Sequence, residues 1–400
     1  MLLKLVRSFV SLKPRISRQF ISREMSSITE DILLETEGGV GTILLNRPKA
    51  LNALNENMIA AMHPRLQRWQ DEGVKLVIIK GAGDKAFCSG GDIRAITQER
   101  GGQAQKNFFR NEYLLDNLTG TISIPYVALL NGIVMGGGVG ISVHGKYRVC
   151  CETTMFAMPE TGIGLVPDVG GAYFLPRLPG SIGMFLGLTG HRLKGRDCLH
   201  AGIATHAVDS GDILNLEADL KSNPEDVSSI LDKYSASSQF QKDKVFSLEV
   251  DMEVINIIFC LVFSLEVDMQ VSFLPRSRYG SNKYFLFSFL PRSRYGKSDG
   301  SEFALKTLKA LKRASPRSLK VAHRQITEGR NLNSLSQALN LEYRLVLRCC
   351  ENDDFYEGVR ALLIDRDNSP KWNPSSLQEV TDSMVDEYFK PLQSNLELNL

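Results

Sequence analysis

The feature that most constrains this chain is a repeated junction. A strand-like, apolar run ends in a glycine loop, and a helical stretch follows. "VKLVIIKGAG" (74–83) is a buried strand by its β-branched run, "IPYVALLNG" (124–132) is another, and "KYRVCCETTMFAMPE" (146–160) holds a third and a fourth. Ahead of them "ILLETEGGVGTILLNRP" (32–48) predicts a hairpin around Gly38–Gly39, and after Pro48 the helical spacing of Met58, Met62 and Leu66 takes over. Strands alternating with helices predict an α/β core. From "GRDCLHAGIATHAV" (195–208) onward the pattern is mostly helical. Ser315–Pro316 predicts a capped helix start, and "LNSLSQALNLEYRLVLRCC" (332–350) an amphipathic helix.

Two of the junctions can hold a ligand. In "KGAGDKAFCSGGDIR" (80–94), Gly90 and Gly91 expose bare N–H groups. In "NGIVMGGGVGISVHG" (131–145), Gly136–Gly138 precede a helix expected over "VGISVHG". The second loop lacks the Gly-Lys-Ser/Thr of a phosphate-binding P-loop and the spaced glycines of a dinucleotide fingerprint. Two such loops suit a two-donor oxyanion hole for a carbonyl. "PETGIGLVPDVGG" (159–171) then places Glu160 and Asp168 in an apolar, glycine-broken run. A carboxylate beside a polarised carbonyl serves as nucleophile, base or acid. The alternative for this pair is structural: a buried couple, or Asp168 as the N-cap of a helix over "VGGAYFL".

Other residue types are less informative. A net charge of +2 shows no basic stripe and excludes nucleic acid as the main partner, and no apolar run is long enough for a membrane span. The seven cysteines follow neither disulfide-framework nor metal spacing, and the six histidines form no ligand cluster. Cys88 has no histidine placed to activate it, His144 is a structural histidine, and Asp92 is a loop-fixing acceptor. The acid-free opening "MLLKLVRSFVSLKPRISRQFISR", rich in Arg and Ser, predicts a mitochondrial transit segment over residues 1–27. "VFSLEVDM" occurs at 245–252 and 262–269, and "SFLPRSRYG" at 272–280 and 288–296, a local duplication and not a solenoid. The resulting division is a transit segment, a catalytic core over 28–235, an irregular insert over 236–300 and a helical region over 301–392.

"AFCSGGDIR", "NGIVMGGGVG" and "PETGIGLVPDVGGAYFLPRL" resemble the enoyl-CoA hydratase/isomerase (crotonase) superfamily. "DFYEGVRALLIDRDNSPKWNP" (354–374) adds a likeness to its branch that hydrolyses 3-hydroxyisobutyryl-CoA in valine breakdown. The resemblance implies a crotonase-like ββα superhelical core with a helical C-terminal region. The implied substrate is an acyl-CoA, with no metal or redox cofactor; a homo-oligomer is compatible. It further implies that Gly91 and Gly137 supply the oxyanion N–H groups and that Glu160 and Asp168 form the catalytic pair. Glu112 would contact substrate, and Lys49, Ala50, Ser89 and Asp92 would lie along the CoA moiety. Hydratases of the superfamily carry a second catalytic Glu where this chain has Gly140, and glycine where it has Asp168, which favours thioester hydrolysis over water addition. The rivals are an enoyl-CoA hydratase or isomerase of the same superfamily and a weakly active homologue that binds RNA or protein.

Overall fold

The computed structural model describes residues 30–239 and 301–400; the expected transit segment and residues 240–300 of the expected insert, with both duplications and Cys260, lie outside the described residues. The first half of the chain supplies ten strands: β1 (Ile32–Glu37), β2 (Val40–Leu45), β3 (Leu76–Gly81), β4 (Ala86–Cys88), β5 (Tyr126–Leu130), β6 (Ile133–Met135), β7 (Tyr147–Cys150), β8 (Met155–Ala157), β9 (Leu193–Lys194) and β10 (His206–Ala207). They form a six-stranded sheet in the order β1-β2-β3-β5-β7-β10 and a four-stranded one in the order β4-β6-β8-β9. β1 and β2 are an antiparallel hairpin about Gly38–Gly39, and the rest of the larger sheet is parallel.

Parallel strands are covered on both faces, which is why these runs look continuously apolar in sequence. Leu76, Ile78, Val127, Leu129 and Val149 point into a small apolar layer. Their neighbours Val77, Ile79, Ala128, Leu130 and Cys150 point into the main core. The intervening helices are α1 (Glu56–Asp71), α2 (Ile93–Ile96), α3 (Gln103–Thr121), α4 (Gly137–Val143), α5 (Gly171–Phe174), α6 (Ile182–Thr189), α7 (Arg196–His200), α8 (Ile213–Ser222) and α9 (Val227–Ser237). α8 and α9 cover the small layer with Leu216, Leu220, Val227 and Leu231.

The C-terminal helices are α10 (Ser301–Arg313), α11 (Pro316–Gly329), α12 (Leu335–Glu351), α13 (Asp353–Val359) and α14 (Asp382–Phe389), with a π-helical turn over Arg360–Ile364. Ser315 caps α11 as expected, its hydroxyl accepting the Ser318 N–H at 3.1 Å ahead of Pro316. These helices are not an appendage. Leu319, Ala322, Leu339, Val346 and Phe355 share one apolar core with Ile43, Trp69 and Phe87. α12 packs on α3 and α5, and α11 on α5 and α6.

The region from Gly195 is mostly helical as expected, with the short β10 paired to β7 at the edge of the larger sheet. One local expectation is corrected. The helix after the glycine triplet begins earlier than "VGISVHG", at Gly137. Gly137 and Gly138 lie inside it because α4 packs too closely for any side chain. A Cβ on Gly138 would stand 2.4 Å from the Cys88 carbonyl oxygen.

The same closeness recurs where α11 meets α5. A Cβ on Gly329 would lie 2.1 Å from the Ala172 carbonyl oxygen, a backbone atom that cannot swing aside. Gly329→Ala therefore destabilises the protein by about 1–3 kcal/mol, in the range of overpacked cores. Gly211→Ala, whose Cβ would meet nothing within 4 Å, leaves stability unchanged. Urea midpoints of the two variants check this; equal midpoints would contradict it.

Candidate active site

The site begins where the two glycine junctions touch. Gly90 (φ 109°) and Gly136 (φ 47°) adopt conformations that a side chain resists, and each immediately precedes the residue whose N–H matters. A Cβ on Gly90 would stand 3.7 Å from Gly137 N, and one on Gly137 only 3.3 Å from Gly91 N. Leu54 fixes this loop, its N–H donating to Gly90 O at 2.8 Å and its carbonyl accepting from Asp92 N at 2.7 Å. The Gly137 N–H is the first of α4, so the amides of Gly91 and Gly137 meet at a helix N-terminus.

Five carboxyls converge behind these amides: Glu112 and Asp116 from α3, Glu160 after β8, Asp168 before α5, and Glu342 from α12. Each is at most 5% exposed. None takes part in any ion pair among the described residues. Glu160 opens a short 3-10 turn, with Oε1 3.2 Å from where a Gly136 Cβ would be and Oε2 without a hydrogen-bond partner. Burial, and then the Asp168 charge, hold its carboxyl well above the usual range. Asp168 accepts a 2.7 Å bond from the Tyr113 hydroxyl, and burial pushes it up to about 6 against that bond. Glu112 Oε1, unpartnered, lies 2.2 Å from a would-be Gly137 Cβ, and burial followed by the Asp168 charge raises it too.

The structure thus brings Gly91, Gly137, Glu112, Glu160 and Asp168 together. The Pro48–Ala50 turn carrying Lys49 and Ala50 is joined to the Ser89–Asp92 loop, for Ser89 N–H donates to Leu51 O at 3.0 Å. The Asp92 carboxylate accepts from Arg47 Nη2 at 2.9 Å, so it ties two loops together. The Asp168 carboxyl is not a helix N-cap: α5 begins at Gly171 behind Gly170, the Gly170 and Ala172 amides bond to Glu342, and the Gly171 amide bonds to the Asp168 backbone carbonyl. His144 is structural, its Nε2 2.8 Å from Val169 O and its basicity lowered to about 4 by burial. Burial pushes the Cys88 thiol up to about 12, which removes it as a nucleophile.

A family model described as enoyl-CoA hydratase/isomerase matches residues 40–389. The chain belongs to the enoyl-CoA hydratase/isomerase family. Among its relatives in that family is the protein named "3-hydroxyisobutyryl-CoA hydrolase, mitochondrial" in Gallus gallus. It is 49% identical over 372 residues, 91% of this chain and 90% of the relative. The protein of that name in Homo sapiens is 48% identical over 373 residues, 92% and 90% of the two chains. Two solved members share the crotonase-type α/β fold. A carnitinyl-CoA dehydratase from Mycobacterium thermoresistibile has a TM-score of 0.76 at 33% identity, covering 92% of this chain and 98% of its own. An enoyl-CoA hydratase from Rhodobacter sphaeroides 2.4.1 has a TM-score of 0.74 at 31% identity, covering 92% and 100%.

Within the enoyl-CoA hydratase/isomerase framework, four residues of this pocket escaped the sequence reading: Tyr113, Asp116, Gln325 and Glu342. Three of them carry a common signal, a polar residue on the apolar face of an amphipathic helix. Glu342 continues the buried row Leu335, Ala338, Leu339, and Gln325 the row Leu319, Ala322. Asp116 follows Phe108, Phe109 and Glu112. Its carboxyl fills the room of a side chain at Gly140, since a Cβ there would be 2.6 Å from Asp116 Oδ1.

Both oxygens of Asp116 lack a hydrogen-bond partner, and burial, then Glu112, raise its carboxyl well above the ordinary value of 3.8. An acid whose folded-state pKa is raised keeps its proton in the folded protein and loses it in the unfolded chain. Stability is therefore lost as pH rises above that ordinary value, by up to about 1.4 kcal/mol per pH unit until the folded group also ionises. Asn imitates the protonated acid, so Asp116→Asn is more stable than the parent at pH 8, with a smaller gap at pH 5. Chemical denaturation at the two pH values reads the gap; one that is constant or wider at pH 5 would contradict the assignment.

Proposed function

We propose that this chain hydrolyses the thioester of 3-hydroxyisobutyryl-CoA, giving the free 3-hydroxy acid and CoA in valine breakdown, and accepts 3-hydroxypropionyl-CoA as a lesser substrate. The observation that carries this is the Glu160 carboxyl, its Oε2 without a hydrogen-bond partner and its Oε1 against Gly136 beside the paired glycine amides, while the position of a second hydratase acid is Gly140 with its space already filled. The names of the relatives support the same reading. The acyl carbonyl lies against the N–H groups of Gly91 and Gly137, which stabilise the oxyanion that forms there. Glu160 takes a proton from water as the water oxygen bonds to the acyl carbon. Collapse then breaks the C–S bond, and the CoA thiolate takes the proton back from Glu160. In the covalent variant Glu160 itself attacks the acyl carbon, the C–S bond breaks to release CoA thiolate, and water then cleaves the anhydride, its proton passing to the thiolate. Asp168 accepts a hydrogen bond from the substrate 3-hydroxyl beside Tyr113, and Glu112 borders the acyl group. No metal or redox cofactor enters these steps; CoA arrives with the substrate. The acid-free first residues, with the mitochondrial names of the relatives, support a place in the mitochondrial matrix.

Glu160→Gln lowers kcat for thioester cleavage by about 10³-fold, the scale of losing a general base or nucleophile. The wild-type chain hydrates crotonyl-CoA far more slowly than it cleaves 3-hydroxyisobutyryl-CoA. Retention of most cleavage activity by Glu160→Gln, or a dominant hydration rate, would overturn the reading. Single-turnover hydrolysis in ¹⁸O water separates the two routes, since only the covalent one leaves label in Glu160.

A further inference from the structure

We propose that Glu342 is a positioning residue that seats Asp168 and so sets the demand for a 3-hydroxyl on the acyl group. This rests on the reading of Asp168 as the hydroxyl acceptor. The loop carrying Asp168 is held at successive backbone atoms by residues far away in sequence. Gln325 Nε2 donates to Pro167 O at 2.7 Å, and His144 Nε2 bonds Val169 O at 2.8 Å. Glu342 Oε2 accepts from Gly170 N at 2.7 Å and Oε1 from Ala172 N at 2.5 Å. The need for so many holds is visible in the backbone. Val169, a β-branched residue, sits at φ 52°, a conformation that costs on the order of 1–3 kcal/mol and persists only where its surroundings enforce it.

The same helix governs the other side of Asp168. Tyr113, whose hydroxyl donates to the carboxyl, rests edge-on against Tyr343 with ring centroids 6.1 Å apart, and Tyr343 is the residue after Glu342. One turn of α12 therefore fixes both the backbone and the hydrogen-bond partner of the proposed hydroxyl acceptor. Glu342 itself borders the Asp168 loop through the amides and touches no reacting atom, so its effect passes through Asp168. A carboxylate suits this place because both of its oxygens accept N–H bonds. A glutamine offers one acceptor and turns an NH₂ group toward the other amide.

The test compares kcat/KM for 3-hydroxyisobutyryl-CoA with that for isobutyryl-CoA, which lacks the hydroxyl, in the full-length chain. Asp168→Asn lowers the ratio of the two substrates at least tenfold. Glu342→Gln lowers it in the same direction, by about tenfold, while isobutyryl-CoA turnover stays within about threefold of wild type. The double variant loses no more than Asp168→Asn alone, because both act on one contact. Gln325→Leu, which frees the Pro167 carbonyl and removes the 3.4 Å bond from Gln325 Nε2 to Glu342 Oε1, repeats the effect more weakly and serves if Glu342→Gln does not fold. Equal losses on both substrates would make Glu342 merely structural, and a fully additive double variant or an unchanged ratio in Glu342→Gln would remove its link to Asp168. An unchanged ratio in Asp168→Asn itself overturns the hydroxyl reading and the role of Glu342 with it.

Discussion

The constraint on which the rest of this structure depends is the burial of five carboxyls in one apolar space with no cationic partner among the described residues. An isolated ionised carboxylate in such surroundings is costly, so the space is stable only if protons are retained or backbone amides stand in for cations. Both devices are visible. Asp116 has no hydrogen-bond partner for either oxygen and is held toward its neutral form; Glu342 has two amides that oppose the burial, which still raises it to about 8. Between them stand Glu160, raised by burial first and then by the Asp168 charge, and Asp168, raised by burial against its bond from Tyr113. A poised acid–base group follows from such surroundings without any metal, because excluding water strengthens every charge that does form.

This constraint also gives the C-terminal helices their place. α11 and α12 bury apolar surface against α3, α5 and α6, and two of their buried polar residues, Gln325 and Glu342, hold the loop between β8 and α5. The catalytic half of the chain supplies the amides of Gly91 and Gly137 from within its own strand–glycine–helix units. The seat of Asp168, by contrast, is built across more than 150 residues of sequence by Gln325 and Glu342. A chain cut after α9 would keep the paired glycine loops and lose Gln325 and Glu342, which hold the backbone on either side of Val169 in its unfavourable conformation.

What was legible in the sequence follows the range of the interactions. The hairpin, the parallel runs, the glycine junctions and the Ser315 cap are all local patterns, and they were readable because period and turn chemistry act over a few residues. The glycine loops and the pair Glu160 and Asp168 stood out in the sequence itself; the resemblance added Glu112 and narrowed the loops to Gly91 and Gly137, and the fold gathers all five at one place. Less legible was how the fold holds that place. The N-cap role offered for the Asp168 side chain failed because the Gly170 amide is claimed by Glu342 from another helix, the Gly171 amide by the Asp168 backbone carbonyl, and the carboxyl itself by Tyr113. The onset of α4 was misjudged because glycine, a poor helix former, is demanded there by the closeness of Cys88 and Glu112. In each case a contact distant in sequence overrode the local preference. A polar residue interrupting an apolar helical stripe was the one trace it left.

The filled space at Gly140 has a consequence for how reactions are exchanged within this family. A glutamate restored at position 140, where the resemblance places the second hydratase acid, would drive its Cβ into the Asp116 carboxyl. The two positions are therefore epistatic: the acid at 140 becomes acceptable only after the one at 116 has shrunk or gone. A lineage moving between hydrolysis and hydration would have to pass through a sequence with neither carboxyl, a hollow beside the oxyanion amides where water could settle. The path between the two chemistries runs through an underpacked intermediate, and that makes the present reaction hard to leave by single steps.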